Sequence, residues 1–291
     1  MNTLITRRRL VTATGIGSVS AAAAMVGAAS TTTAVAQTMR KPVEQATLVS
    51  IEKSAGTAHT FVTNNDGRVT IQVLEGPTGS IMVDSGDDPK YSAEARTFAD
   101  SLGKPIEAVM LSHDHPDHTG GLPSYAGLPI FTSSGILSNI QNGPFPKPDN
   151  LGEVQTLDDT EVSFGGLNLR IHNYKNAEAL EQIVIEAPEM GTAILQDLVY
   201  NNAYFFPGMD RPGWISVLGD LKNKLEIETL LVGHGYPSSS GELTAAIDYL
   251  NEYSEMVAQS SGPEELVTKM KERWPQRLAP GILELQGFAF R

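Results

Sequence analysis

The chain has 291 residues, 41% hydrophobic and 19% charged, with no cysteine and a net charge of −13. That length allows one large domain or two small ones, and a core able to hold without disulfides. The acidic excess repels phosphate backbones and argues against a nucleic-acid partner, while the missing thiols limit metal ligands to His, Asp and Glu and exclude a cysteine nucleophile.

Residues 1–36 read as a twin-arginine-type export leader. Arg7, Arg8 and Arg9 precede a mildly apolar, Ala-rich run, and Ala34 and Ala36 offer small residues for cleavage after Ala36. Thr, Ser and Gly interrupt the run too often for a membrane-spanning helix. Cleavage removes three arginines and no acid, which leaves a domain at 37–291 with a net charge of −16. The expected location is the periplasm or the exterior, with no stable membrane anchor after the leader is removed.

Short strands come first, at 46–52, 59–64, 68–76 and 79–86. Their alternation and bounding Gly, Asn and Asp predict antiparallel pairing. A helix is expected over 92–102, with Ala95, Phe98, Ala99 and Leu102 on one face and Gly103 as its stop. The apolar run 106–111 reads as a buried strand. It leads into "HDHPDH", His113 to His118, which holds three of the six histidines in the chain. A loop is expected there, because Pro116 resists helix continuation, and the stretch 134–150 also reads as loop. Strands follow at 160–166, 167–174, 181–188 and 191–198, then a helix near 213–221 and a strand at 227–233. Ser239 and Glu242 predict a capping box for a helix with apolar positions at Leu243, Ala246, Ile247, Leu250 and Tyr253. A last helix begins near Ser261 and Pro263. Two β-rich halves with flanking helices suggest an α/β fold of two packed sheets covered by helices.

A fold gains nothing from crowding three imidazoles and two carboxylates into six residues. Neutral imidazoles with a carboxylate at the end of a strand suit a divalent transition metal, Zn²⁺ first. The motif resembles the H-x-H-x-D-H signature of the metallo-β-lactamase superfamily. The likeness extends along the chain: "IMVDSG" is similar to that family's early strand ending in an aspartate, here Asp84, and "LLVGHGYP" to its late Gly-His-Gly element, here with His234. The resemblance implies an αββα sandwich with a two-metal site at one edge of the sheets. It implies that His113, His115 and a third group hold one ion, that Asp117, His118 and His234 hold the other, and that a carboxylate, Asp197, bridges them.

The third group departs from the common pattern, because "NYKNAEALEQIVIEAP" contains no histidine. Glu178 stands where that ligand belongs, and His172, upstream in a strand, is the alternative. The segment resembles the alkylsulfatase branch, with Glu178 as ligand and Glu181 as the second acid, although that branch carries glutamate at the bridging position and extra domains for which this chain is too short. A carboxylate in place of an imidazole makes bound water less acidic and makes Mn²⁺ or Fe²⁺ more tolerable beside Zn²⁺.

The expected activity is hydrolysis of a small ester-like bond (sulfate ester, lactone or carboxylic ester) by hydroxide formed between two ions. Alternatives are a β-lactamase or a non-catalytic periplasmic metal- or ligand-binding protein. Asp117 and Asp114 are the catalytic carboxylate candidates, Asp114 by shuttling protons, by holding a ligand histidine, or only by capping its turn. Tyr204 and Arg211, in the aromatic stretch that also holds Phe205, Phe206 and Trp214, are the candidate contacts to a small-molecule substrate. His59 reads as a structural or surface residue. Loop 134–150 is expected to border the site.

Overall fold

The computed structural model describes residues 38–39 and 45–290, apart from 150, 159 and 209; the expected leader lies outside the described residues. An eight-stranded sheet runs in chain order through β1 (Thr38–Met39), β2 (Ala46–Lys53), β3 (Gly56–Thr63), β4 (Thr70–Glu75), β5 (Ser80–Val83), β6 (Ile106–Met110), β7 (Ile130–Thr132) and β8 (Val154–Thr156). Pairing is antiparallel up to β5, as the sequence predicts, and parallel from β5 to β8. The second sheet contains β9 (Thr160–Phe164), β10 (Leu167–Lys175), β11 (Glu181–Ala187), β12 (Thr192–Tyr200) and β13 (Thr229–His234), in the order β13-β12-β11-β10-β9. Only the β12–β13 pair in it is parallel.

The side-chain pattern explains the layering. β4, β5 and β12 are buried on both faces, so each needs cover above and below. One apolar cluster fills the space between the sheets, with Leu74 and Ile81 on the first sheet facing Leu169, Ile171, Ile185, Ile194 and Leu231 on the second. It continues outward to α1 (Pro89–Ser101) through Tyr91, Ala95 and Ala99. A second cluster covers the outer face of the second sheet. There Ala193, Leu195, Leu230 and Val232 pack against α4 (Arg211–Lys224), α5 (Gly241–Ala258) and α6 (Pro263–Arg273). The result is the two-sheet, helix-covered sandwich expected from the sequence. No helix among the described residues is long and apolar enough to cross a membrane.

Three local expectations are corrected. Pro116 does not keep its neighbours in a loop: it occupies the first position of a one-turn helix, α2 (Pro116–Thr119), where its missing N–H costs nothing. Residues 134–142 are not loop but helix α3 (Ser134–Asn142). The Ser133 hydroxyl caps it by accepting from the Ile136 N–H, and Ile136 and Ile140, one turn apart, are buried. The capping box at Ser239 does not form. Glu242 instead accepts hydrogen bonds from the Asn202 N–H and from Ser238, and α5 starts at Gly241.

Phe61 is fully buried beneath α1, on the outer face of the first sheet, and meets Phe98 edge-on at 5.4 Å between ring centroids. Phe61→Ala is expected to lower stability by about 3–5 kcal/mol, read as a reduced urea midpoint at unchanged m-value.

Candidate metal centre

The site sits where several strand ends converge. β5 ends at Asp84, β6 runs into His113–His118, the β10–β11 turn supplies Glu178, and β12 and β13 supply Asp197 and His234. Two of these positions need unusual backbone. Asp84 has φ of 60° and Gln196 has φ of 43°, and the β12–β13 register shifts around Gln196. An extra residue in a strand re-aims the side chains that follow it. Gln196 thereby faces the space between the sheets, and Asp197 turns to the site. Gly233 is required by close approach: a β-carbon there would collide with the Asp197 carboxylate.

Among the described residues three donor groups have ligand-capable atoms within 4.8 Å of one another; one of them, Asp84 with His113 and His118, lies behind the other two, which form the centre. Of these two, one contains His113, His115, Glu178 and Asp197. The other contains Asp117, His118, Asp197 and His234. Asp197 belongs to both. Its Oδ1 lies 3.0 Å from His118 Nε2, and its Oδ2 lies 3.2 Å from His234 Nε2 and 3.8 Å from His113 Nε2. Glu178 Oε1 is 3.4 Å from His115 Nδ1, and Asp117 Oδ2 is 3.5 Å from His234 Nε2.

The far side of most of these groups is already engaged, which fixes what they can offer the centre. His234 Nδ1 donates to the Gly67 carbonyl at 2.6 Å. His118 Nδ1 donates to Asp84 Oδ2 at 2.7 Å. The Ser112 hydroxyl donates to Asp84 Oδ2 at 2.6 Å, so its oxygen accepts from His113 Nδ1 at 2.8 Å. All three rings therefore turn Nε2 inward, and with Nδ1 as the donor Nε2 is the nitrogen left to ligate a metal. Asp84 is saturated by Ser112, His118 and the Gln196 amide, and serves as an anchor behind the donor groups. Tyr200 donates its hydroxyl to Asp197 Oδ2 at 2.8 Å, and Gln182 donates to Glu178 Oε2 at 3.3 Å.

The fit to cations can be tested on the protein atoms alone. His113 Nε2, His118 Nε2, Glu178 Oε1 and Asp197 Oδ1 are buried without a hydrogen-bond partner. Burying four such atoms together is costly unless something between them satisfies them. The electrostatic environment agrees. Burial pushes Glu178 well above the usual carboxylate range, reinforced by Asp197 and Asp117. Burial drives His113 well below the ordinary imidazole value, and His118 and His115 add to that. Burial opposes charging of His118, but Asp197, Asp117 and Asp84 outweigh it and raise its pKa well above normal. Burial likewise opposes ionisation of Asp197, and His118 and His234 overcome it and hold the carboxyl well below normal. Like charges crowded this closely are the signature of a site built for cations.

The structure brings together His113, His115, Asp117, His118, Glu178, Asp197 and His234. It separates the alternative, His172, which lies on β10 with Nε2 3.1 Å from Glu186. Glu181 faces the other way and accepts from the Ser133 hydroxyl at 2.5 Å, tying α3 to β11. His59 is structural, between Ser50 and Glu75. Asp114 is buried outside both donor groups. Tyr204 and Arg211 are not brought to the cavity: the Tyr204 hydroxyl donates to the Trp274 carbonyl at 2.7 Å, and Arg211 lies over the Tyr253 ring at 5.6 Å. Phe205 and Trp214 are core residues.

A cavity of about 670 Å³ opens over the centre and exposes His115, Asp117, Asp197 and His234. Its walls include Phe145, from the expected bordering loop, and Phe206 from the aromatic stretch. The sequence reading missed Tyr200, Ile282, Leu285 and Phe288, which also line it. Only Tyr200 carried a usable signal, its spacing of three residues from Asp197.

The Metallo-beta-lactamase superfamily model matches residues 65–136. The 2,4-dinitroanisole O-demethylase subunit beta of Nocardioides sp. (strain JS1661) is 27% identical over 231 residues, with 73% of this chain and 66% of that protein covered, just under two thirds of its length. Among solved structures, a metallo-beta-lactamase from Pontibacter korlensis superposes with a TM-score of 0.56 at 17% identity, over 74% of this chain and 99% of that one. The mono-zinc form of a Pseudomonas aeruginosa metallo-beta-lactamase gives 0.57 at 18%, over 70% and 95%. An Erythrobacter litoralis metallo-beta-lactamase gives 0.57 at 15%, over 73% and 99%. These structural likenesses establish a shared fold.

Gly233→Ala is expected to push the Asp197 carboxylate out of both donor groups and weaken Zn²⁺ binding by about tenfold or more, measured by titration calorimetry with far-UV circular dichroism unchanged.

Proposed function

We propose that the chain is a metal-dependent hydrolase of the metallo-beta-lactamase superfamily, whose model matches residues 65–136, and that it holds two divalent cations and hydrolyses a small ester-like bond. The observation that carries this reading is the sharing of Asp197 between two donor groups whose inward atoms are buried without partners. His113, His115 and Glu178 would hold one cation, and Asp117, His118 and His234 the other, with Asp197 between them. Such cations lower the pKa of water and polarise a carbonyl, sulfuryl or phosphoryl oxygen. Zn²⁺ suits the imidazole-rich set first, and the added carboxylate of Glu178 widens it to Mn²⁺ or Fe²⁺.

The remaining roles belong to the chain. Asp84, Ser112 and Gly67 keep the histidine rings in the ligating tautomer. Tyr200 keeps a proton on its hydroxyl, where burial and Asp197 raise its pKa well above normal, and so stays a donor to Asp197 Oδ2. Asp117, whose side chain is 36% exposed, is the donor-group carboxylate most open to the cavity and the one placed to exchange a proton with solvent there. Asp114 receives no step. Export through the leader at 1–36 to the periplasm or exterior belongs to the same proposal. The relative named for O-demethylation of 2,4-dinitroanisole adds an activated aryl ether to the bonds worth testing.

Elemental analysis of the purified protein, coupled to a panel of carboxylic esters, lactones, sulfate esters, lactams and an activated aryl ether, tests the reading. Two equivalents of metal with turnover are expected. Glu178→Ala should lose one equivalent while His172→Ala keeps both; the reverse pattern, or trace metal only, would overturn the assignment. Bound metal without turnover on any member would favour a non-catalytic binding protein instead.

A further inference from the structure

The cavity over the metal centre has a charge and a wall that together select its occupant. Among the described residues no Lys or Arg lines it. Its rim carries Asp66 and Asp87 in addition to the donor carboxylates Asp117 and Asp197. With Glu178 beneath, five carboxylates face the site, enough to offset the charge of two divalent cations. An anionic substrate would find no cation from the protein to pair with, and would approach past Asp66 and Asp87.

The wall opposite the motif is apolar. It comes from the C-terminal segment Pro280–Phe290, which contributes Ile282, Leu285 and Phe288. Leu285 and Phe288 are 42% and 43% exposed and lie together in the lining of this cavity, where a contiguous apolar patch marks a binding surface. The segment is fixed in place. Gln286, fully buried, donates to the Ile282 and Phe205 carbonyls at 3.0 and 3.3 Å and accepts from the Tyr253 hydroxyl at 2.6 Å. Phe288 reaches Phe206 at 5.6 Å between centroids, and Phe145 and Phe206 both stand near His115, at 5.1 and 5.5 Å. Rings from three separate parts of the chain line one pre-formed cavity and suit a flat apolar guest, because ordering the wall has already been done in the free protein.

We propose that the substrate is an uncharged ester carrying an aromatic or similarly bulky apolar group, seated between Phe145, Phe206, Leu285 and Phe288, and that sulfate, phosphate and carboxylate-bearing substrates are discriminated against. This rests on the hydrolase reading above and names the substrate class for that same site. The reaction is redox-neutral: water oxygen bonds to the acyl carbon, the acyl carbon–oxygen bond breaks with its electron pair leaving on the alcohol or phenol oxygen, and a proton from the water ends on that oxygen. The products are a carboxylic acid and an alcohol or phenol.

The test uses one leaving group throughout. The metal-loaded protein is assayed on 4-nitrophenyl benzoate, 4-nitrophenyl acetate, 4-nitrophenyl sulfate and 4-nitrophenyl phosphate. We expect kcat/KM for the benzoate to exceed that for the sulfate and phosphate at least a hundredfold. Phe288→Ala and Leu285→Ala should raise KM for the benzoate several-fold while changing the acetate, which has no acyl ring to seat, much less. Asp66→Lys should shift the sulfate-to-benzoate ratio at least tenfold toward sulfate. Faster turnover of either anion by the unaltered protein, or identical losses on benzoate and acetate in the wall variants, would overturn the substrate class and leave the hydrolase reading intact. Calorimetric titration with uncharged N-phenylbenzamide and with benzenesulfonate reads the slot without turnover. If neither these esters nor any member of the wider panel is hydrolysed, the hydrolase reading falls, and tighter binding of the amide, weakened in Phe288→Ala, still supports the slot. Tighter binding of benzenesulfonate overturns it.

Discussion

One carboxylate organises this molecule. Asp197 is the single residue common to both donor groups, and it is placed by three unrelated devices: the irregularity at Gln196 that turns it, the bare α-carbon of Gly233 that leaves room for it, and the Tyr200 hydroxyl that holds Oδ2. Remove any of these and the two groups lose their common member. The strained backbone at Asp84 and Gln196 falls at this same place, which is where a fold tolerates strain when the surrounding structure over-determines it.

The positioning extends into the space between the sheets. The Thr60 hydroxyl donates to Gln72, the Gln72 amide donates to Gln196, and the Gln196 amide donates to Asp84, which accepts from His118. Thr70 and Gln72 also donate to the Val232 carbonyl. This polar line crosses a layer otherwise filled by Ile, Val and Leu. Leaving any member unpaired would cost more than making its bond gains, so the line sets how the two sheets register against each other. The metal centre is therefore an outcome of the sandwich as a whole, because its donors come from both sheets.

Above the centre the chemistry changes character. The floor is charged and closely hydrogen-bonded, whereas the walls are aromatic and come from parts of the chain remote from one another, Phe145 after α3 and Phe288 near the C-terminus. A buried amide, Gln286, connects the outer wall to α5 through Tyr253. The helices that cover the second sheet thus also shape the entrance.

The sequence alone determined the chemistry of the floor and the order of the layers. "HDHPDH" announces ligands because six adjacent residues leave no other use for so many imidazoles and carboxylates, and the alternation along β10, with Leu167, Leu169 and Ile171 inward, announces a half-covered sheet. Glu178 was distinguishable from His172 by position relative to a strand. Tertiary structure alone decided the rest. A tyrosine reads the same whether its hydroxyl meets a carboxylate, as in Tyr200, or a carbonyl of the covering layer, as in Tyr204. Asp84, expected only as a strand end, proved to be the anchor for two histidines, because its partners lie 28 and 34 residues away. Periodicity reports which face of an element is buried but not what it is buried against, so walls built from distant segments become visible only once the chain has closed on itself.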